Sequence, residues 1–102
     1  MSKIITGTCI CPGKAEGKLT LFKEGKSYTK DDIVVMDDWL TQKVLKSKDA
    51  GALLSKTGSI TCHASIIARE LDVPTLINVD IAGLEEGKEA IVNTEEEKVE
   101  IK

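Results

Sequence analysis

His63 is the only histidine in this 102-residue chain, and it follows a run of small, hydroxyl-bearing residues. The run includes Thr57, Gly58, Ser59 and Thr61. If a helix begins here, the imidazole is expected to stay neutral at neutral pH, because the unpaired N–H groups of a first helical turn disfavour a cation. A neutral imidazole is a nucleophile, and the same N–H groups would stabilise a phosphoryl group that it accepted. The spacing is therefore compatible with a histidine that carries phosphate, with Gly58 letting the backbone approach the phosphate.

Three cysteines, Cys9, Cys11 and Cys62, leave other chemistries open. An odd number of cysteines does not suit a disulfide framework, and residues 1–7 lack the apolar core of a signal peptide. We therefore expect free thiols in the cytoplasm. With His63 the thiols make four candidate metal ligands, but their spacing differs from that of structural zinc sites, so no metal is expected. Spacing alone also allows His63 to be an ordinary surface or capping residue.

The composition excludes several classes of protein. The chain has 17 acidic and 14 basic residues, a net charge of −3, 41% hydrophobic residues and 30% charged residues, which indicates one globular domain over residues 1–102. No basic stripe is present and only three residues are aromatic, so no nucleic-acid partner is expected. No apolar run approaches the ~20 residues of a membrane-spanning helix, so no membrane association is expected.

Hydrophobic periodicity predicts a mixed α/β domain with a βαβ unit at its centre and a β-hairpin on either side of that unit. Asp37 and Asp38 are expected to cap the first helix and Thr61 the second, which Pro74 should stop. The strand over 33–36 is expected to be buried on both faces, because it is continuously apolar. Strands are predicted over 4–8, 17–22, 33–36, 51–54, 75–79, 89–92 and 98–101, and helices over 39–47 and 63–71.

Residues 58–74 read GSITCHASIIARELDVP. This segment resembles the phosphohistidine signature of the PEP-utilising enzymes, which include phosphoenolpyruvate synthase, pyruvate phosphate dikinase and enzyme I of the sugar phosphotransferase system. The family pattern is Gly-Gly-x-Thr-(Cys or Ser)-His-Ala-Ala-Ile-x-Ala-Arg-Glu, followed by a proline. The similarity extends over nearly the whole chain, through Pro12-Gly13 with Gly17, Asp32–Val35, Gly51–Leu54 and Leu84–Gly87.

The resemblance implies the swivelling β/β/α fold of the mobile phosphohistidine domain, with His63 as the phosphorylated residue. It places Gly58, Ser59, Thr61 and Cys62 at the phosphate or the ring. Thr57 and Arg69 are further candidates, and Arg69 could serve a partner site or only pack. Ser59 stands where the family has a second glycine.

The resemblance also implies a division of labour. The family's ATP-grasp domain and its phosphoenolpyruvate- or pyruvate-binding barrel have no counterpart in the chain, so both partners are expected in trans, with Mg²⁺ at the partner's active site and no cofactor on this chain. Alone, the chain is expected to bear phosphate without turning over ATP. The alternatives are a binding or regulatory module, whose histidine would be buried, and a Cys/His metal protein. The donor, the acceptor and the oligomeric state stay open.

Overall fold

The computed structural model describes residues 3–102. Within that range the chain forms eight strands, two α-helices and a short 3₁₀ helix at Ile81–Gly83. In chain order the elements are β1 (Lys3–Thr6), β2 (Thr8–Cys11), β3 (Lys14–Leu21), β4 (Asp32–Met36), α1 (Thr41–Lys46), β5 (Ala52–Ser55), α2 (His63–Leu71), β6 (Thr75–Ile77), β7 (Glu89–Asn93) and β8 (Lys98–Ile101). No helix within this range is long and apolar enough to cross a membrane.

The strands form one mixed sheet in the order β1-β8-β7-β3-β4-β5-β6-β2. The four strands from β3 to β6 run parallel, whereas the remaining pairs are antiparallel. The predicted βαβ unit is confirmed, because α2 connects the parallel neighbours β5 and β6. Of the hairpins predicted on either side of this unit, the one at the end of the chain is confirmed as β7 and β8. The one before the unit is wrong, because β1 pairs with β8, β2 with β6, and β3 with β4 and β7.

The prediction of one strand over 4–8 is wrong, because Gly7 interrupts the strand and separates β1 from β2. β1 and β2 follow each other directly but lie at opposite edges of the sheet, where they pair with β8 and β6. A Cβ atom at Gly7 would lie 2.7 Å from Cγ2 of Val79 and 2.8 Å from the carbonyl oxygen of Ile77. A side chain would therefore not fit at the point where the chain passes from one edge to the other.

The central strands are buried on both faces, as predicted for residues 33–36. In β4, Ile33 and Val35 contribute to one apolar cluster, and Val34 and Met36 contribute to the cluster on the opposite face. The second cluster includes buried residues of both helices, so the helices cover only that face. This packing fixes the starts of α1 and α2 on the same side of the sheet.

Helix α2 spans the predicted residues, but its cap differs. The N-cap residue is Cys62, and no side chain caps the first turn. The hydroxyl of Thr61 lies 3.2 Å from the hydroxyl of Ser59 instead, so the predicted cap at Thr61 is wrong. The helix ends at Leu71, where Asp72 adopts a left-handed conformation with φ of 57°.

Helix α1 is shorter than predicted and begins at Thr41 rather than at Trp39. Its N-cap residue is Leu40, and the predicted cap by Asp37 and Asp38 is wrong. The Asp38 carboxylate pairs with Lys43, and the Trp39 side chain turns into the apolar cluster below the helices. Burial of the indole therefore delays the start of the helix by two residues.

Candidate functional site

The imidazole of His63 is exposed at the first position of α2. Its Nδ1 atom lies 3.5 Å from the hydroxyl oxygen of Thr41, the first residue of α1. That distance is the outer limit of a hydrogen bond. The contact involves Nδ1 only, and Thr41 does not contact the other ring nitrogen, Nε2.

The loop between β5 and α2 places two exposed hydroxyl groups before His63. The oxygen atoms of Ser59 and Thr61 lie 3.2 Å apart, and the backbone N–H of Thr61 donates to the Ser59 hydroxyl at 3.3 Å. The loop is fixed at its start by Ser55, whose hydroxyl donates to the carbonyl of Thr57 at 2.7 Å. The Thr57 hydroxyl donates away from the loop to the carbonyl of Asp37 at 3.4 Å. Of the predicted hydroxyl candidates, Ser59 and Thr61 form a pair, whereas Thr57 is an anchor.

Gly58 packs closely against the buried side chains below the loop. A Cβ atom there would lie 3.0 Å from Cδ1 of Trp39 and 3.0 Å from Cγ2 of Ile77, and φ is +150°. These contacts explain why the residue at position 58 is a glycine, without the approach of a phosphate that the sequence suggested. A side chain at this position would lift the loop away from the indole.

Ser65 and Trp39 belong to the site, although neither was predicted. The indole N–H of Trp39 donates to the hydroxyl of Ser65 at 2.9 Å, and that hydroxyl donates to the carbonyl oxygen of Ser59 at 2.5 Å. Ser65 is fully buried. One signal was available, since the family pattern has alanine at this position. No comparable signal pointed to Thr41, whose contact with His63 spans 22 residues.

The thiol of Cys62 is half-buried, and its sulfur lies 3.4 Å from the Ser65 hydroxyl oxygen. Burial raises the pKa of this thiol, but hydrogen bonds, including those from the backbone N–H groups of Ser65, Ser59 and Ala64, outweigh burial, so its pKa lies below the ordinary value. Burial instead raises the pKa of both Cys9 and Cys11.

The cysteines and the histidine do not form a metal site. In the part of the chain from residue 3 to residue 102, no group of three or more His, Cys, Asp or Glu side chains could hold a metal ion. All three thiols are free, as expected. The Cys/His metal hypothesis therefore lacks a ligand set in this structure.

Arg69 binds two backbone carbonyls. Its Nε donates to the carbonyl oxygen of Ile10 in β2 at 3.2 Å, and its Nη2 donates to that of Ile60 in the loop at 2.8 Å. The guanidinium therefore ties the loop before His63 to an edge strand of the sheet. The observed contacts favour the packing role over a role at a partner site.

The profile of the family described as "PEP-utilising enzyme, mobile domain" matches residues 28–97. The chain belongs to this family. It is 35% identical over 104 residues to the phosphoenolpyruvate synthase of Neisseria meningitidis, covering 87% of this chain and 13% of that protein. It is 33% identical over 82 residues to the probable phosphoenolpyruvate synthase of Archaeoglobus fulgidus, covering 78% of this chain and 11% of that protein. The chain thus spans about an eighth or less of the length of these relatives.

Solved structures share the fold at lower identity. The holo-form of Thermococcus kodakaraensis aconitase X superimposes with a TM-score of 0.74 at 20% identity, with 98% of both chains covered. An enzyme I protein solved by NMR superimposes with a TM-score of 0.59 at 20% identity, covering 76% of this chain and 32% of that one. The predicted family and the predicted α/β fold of the phosphohistidine domain are confirmed.

Proposed function

We propose that this domain is a phosphoryl carrier that accepts a phosphoryl group on His63 and passes it to an acceptor. The observation that carries the proposal is the exposed imidazole at the first position of α2, with Thr41 engaging Nδ1. Membership of the PEP-utilising mobile-domain family supports it. A binding or regulatory module would be expected to bury this histidine, so exposure favours the carrier.

The contact with Thr41 favours Nε2 as the nucleophile. If Nδ1 carries the proton and donates it to the Thr41 hydroxyl, the lone pair on Nε2 is free to attack phosphorus. With phosphoenolpyruvate as donor, the Nε2–P bond forms while the bond from phosphorus to the enol oxygen breaks. The oxygen keeps the electron pair, and the resulting enolate takes a proton from solvent to give pyruvate.

Ser59 and Thr61 are the groups proposed to receive the phosphoryl oxygens. Their hydroxyls are exposed and lie 3.2 Å apart, directly before the positive end of α2. Each hydroxyl can rotate to donate a hydrogen bond, which would stabilise the added negative charge. Cys62 and Gly58 belong to the same loop, but they face buried side chains. Cys62 contacts Ser65, and Gly58 lies against Trp39 and Ile77.

The donor and acceptor sites are proposed to lie on partner domains that bind ATP and phosphoenolpyruvate or pyruvate, with Mg²⁺ held there. In phosphoryl transfer most of the barrier lowering comes from positioning and from cationic groups around the phosphate, which the carrier itself need not provide. The carrier instead has to enter another site. Three exposed apolar side chains would favour such docking. Ile60 and Ile66 each lie three residues from His63 in sequence, and Leu40 directly precedes Thr41, which contacts His63.

Labelling in trans tests this function. The Neisseria meningitidis synthase, with its own phosphoacceptor histidine replaced by alanine, is incubated with this chain, Mg²⁺ and ³²P-phosphoenolpyruvate or ³²P-ATP. Potassium phosphoramidate serves as a donor that needs no partner. We expect an acid-labile, base-stable label on the wild-type chain and none on His63→Ala. Equal labelling of both chains, or no label from any of the three donors, would overturn the proposal.

A further inference from the structure

We propose that Ser65 is a positioning residue for His63, acting through one buried hydroxyl that holds both segments flanking the imidazole. The inference rests on the proposed carrier function and adds a residue that the family pattern does not supply. It is carried by the hydrogen-bonded chain from Trp39 through Ser65 to Ser59.

The direction of this chain follows from the chemistry of its members. An indole N–H can only donate and a backbone carbonyl can only accept. The Ser65 hydroxyl therefore accepts from Trp39 and must give its single proton to the Ser59 carbonyl. Ser65 is fully buried, and its hydroxyl both accepts and donates a hydrogen bond within the protein. The geometry of the three hydrogen-bonded residues therefore does not depend on solvent.

The two outer members of this hydrogen-bonded series, Ser59 and Trp39, each lie next to a group of the proposed phosphate-accepting site. Ser59 also provides the hydroxyl that pairs with Thr61, so its carbonyl contact sets where that pair lies. Trp39 stands two residues before Thr41, the residue that contacts Nδ1 of His63. Ser65 itself lies two residues after His63 in the same helix. One hydroxyl thus connects the loop, the start of α1 and the first turn of α2.

Removing the hydroxyl would leave one buried donor without a partner and weaken the hold on the loop. In Ser65→Ala the buried indole N–H would lose its partner, and the Ser59 carbonyl would keep only the 3.4 Å hydrogen bond from the Cys62 N–H. The loop and the Trp39–Thr41 segment would then shift to find water. The helix would persist, since alanine favours helix more than serine does.

Phosphoramidate labelling of three variants tests this role without any partner protein. In that reaction the Nε2–P bond forms as the P–N bond of phosphoramidate breaks, and ammonia leaves with the electron pair and takes a proton from water. We expect Ser65→Ala to slow labelling of His63 at least fivefold. Trp39→Phe, which leaves the bond from Ser65 to Ser59 intact, should slow it less. Thr75→Val removes another buried hydroxyl, which donates to the Val73 carbonyl at 2.8 Å, and should label at the wild-type rate.

The tautomer of His63 gives a readout that loss of stability alone would not move. In ¹⁵N NMR spectra at a pH where the ring is neutral, we expect wild type to hold its proton on Nδ1 and Ser65→Ala to shift towards a mixture of tautomers. Wild-type labelling and an unchanged tautomer in Ser65→Ala would overturn the inference. Should Ser65→Ala fail to fold, the same two measurements on Trp39→Phe decide, and an unchanged rate and tautomer there would overturn it. Failure of wild type to label at all would count against the carrier function, whereas the tautomer comparison would still test Ser65.

Discussion

The hydroxyl oxygen of Thr41 lies 3.5 Å from Nδ1 of His63, so the first residue of one helix contacts the first residue of the other. The two residues are 22 positions apart. They meet because α1 and α2 pack on the same face of the sheet and begin at the same side. The contact places Nδ1, one of the two ring nitrogens, beside a hydroxyl group.

Thr41→Val should therefore slow the proposed phosphorylation of His63 without unfolding the domain. Valine keeps the shape of the half-buried side chain but cannot hydrogen-bond Nδ1, so we expect phosphoramidate labelling of His63 to slow several-fold. Thr41→Ser keeps the hydroxyl and should label at close to the wild-type rate. Equal rates for Thr41→Val and wild type would show that the contact does not orient the ring.

The three thiols should alkylate with different pH profiles. Because the pKa of Cys62 lies below the ordinary value and those of Cys9 and Cys11 lie above it, Cys62 has the largest thiolate fraction at neutral pH. We expect iodoacetamide to modify Cys62 first, with a rate that levels off at lower pH than for the other two. Mass spectrometry of digests from pH 6 to pH 10 measures this, and Cys62→Ser is the control. Faster modification of Cys11 at pH 7 would contradict the assignment.

Replacing Arg69 should cost stability, since its guanidinium joins β2 and the loop before α2 through the carbonyls of Ile10 and Ile60. We expect Arg69→Met to lower the free energy of unfolding by about 1–2 kcal/mol, as for the loss of charged hydrogen bonds at a partly exposed site. Glu70→Gln, at the neighbouring exposed position, should change it by less than about 0.5 kcal/mol. Urea titration followed by circular dichroism compares the two.

Gly17 should tolerate no side chain. A Cβ atom there would lie 2.1 Å from the carbonyl oxygen of Asp31, a backbone atom that cannot move without disturbing the start of β4. We expect Gly17→Ala to destabilise the domain by about 3 kcal/mol. Gly25→Ala is the control, because Gly25 has open space around it and only a positive φ of 77°, which costs alanine about 1 kcal/mol. Thermal unfolding should give a lower midpoint temperature for Gly17→Ala than for Gly25→Ala.

The elements that could be predicted are those whose pattern is local. Helix α2 matched its predicted span, because apolar residues at helical spacing and a small-residue loop mark it without reference to the rest of the chain. β4 was predicted from its continuous apolar run, which a strand buried on both faces requires. The position of His63 at a helix start followed from the same local pattern.

Features that depend on distant partners could not be predicted. The break at Gly7 arises because its neighbours pair with β8 and β6, and nothing in residues 4–8 indicates those pairings. The start of α1 is set by burial of Trp39, which binds Ser65 on the other helix. Capping rules favoured Asp38, but its carboxylate pairs with Lys43 instead. Side-chain type predicted which residues could cap, whereas neither α1 nor α2 has a side-chain cap.

The pairing of β1 with β8 places Lys3 opposite Ile101. A polypeptide continued beyond either residue would therefore leave the domain from one place, as two tethers side by side. Such a unit can be inserted into a longer chain without stretching either connection, and it can pivot about that single point. The matching segments make up 11% and 13% of the synthases of Archaeoglobus fulgidus and Neisseria meningitidis, and in proteins of that size paired tethers would let one small domain turn while the rest stays in place.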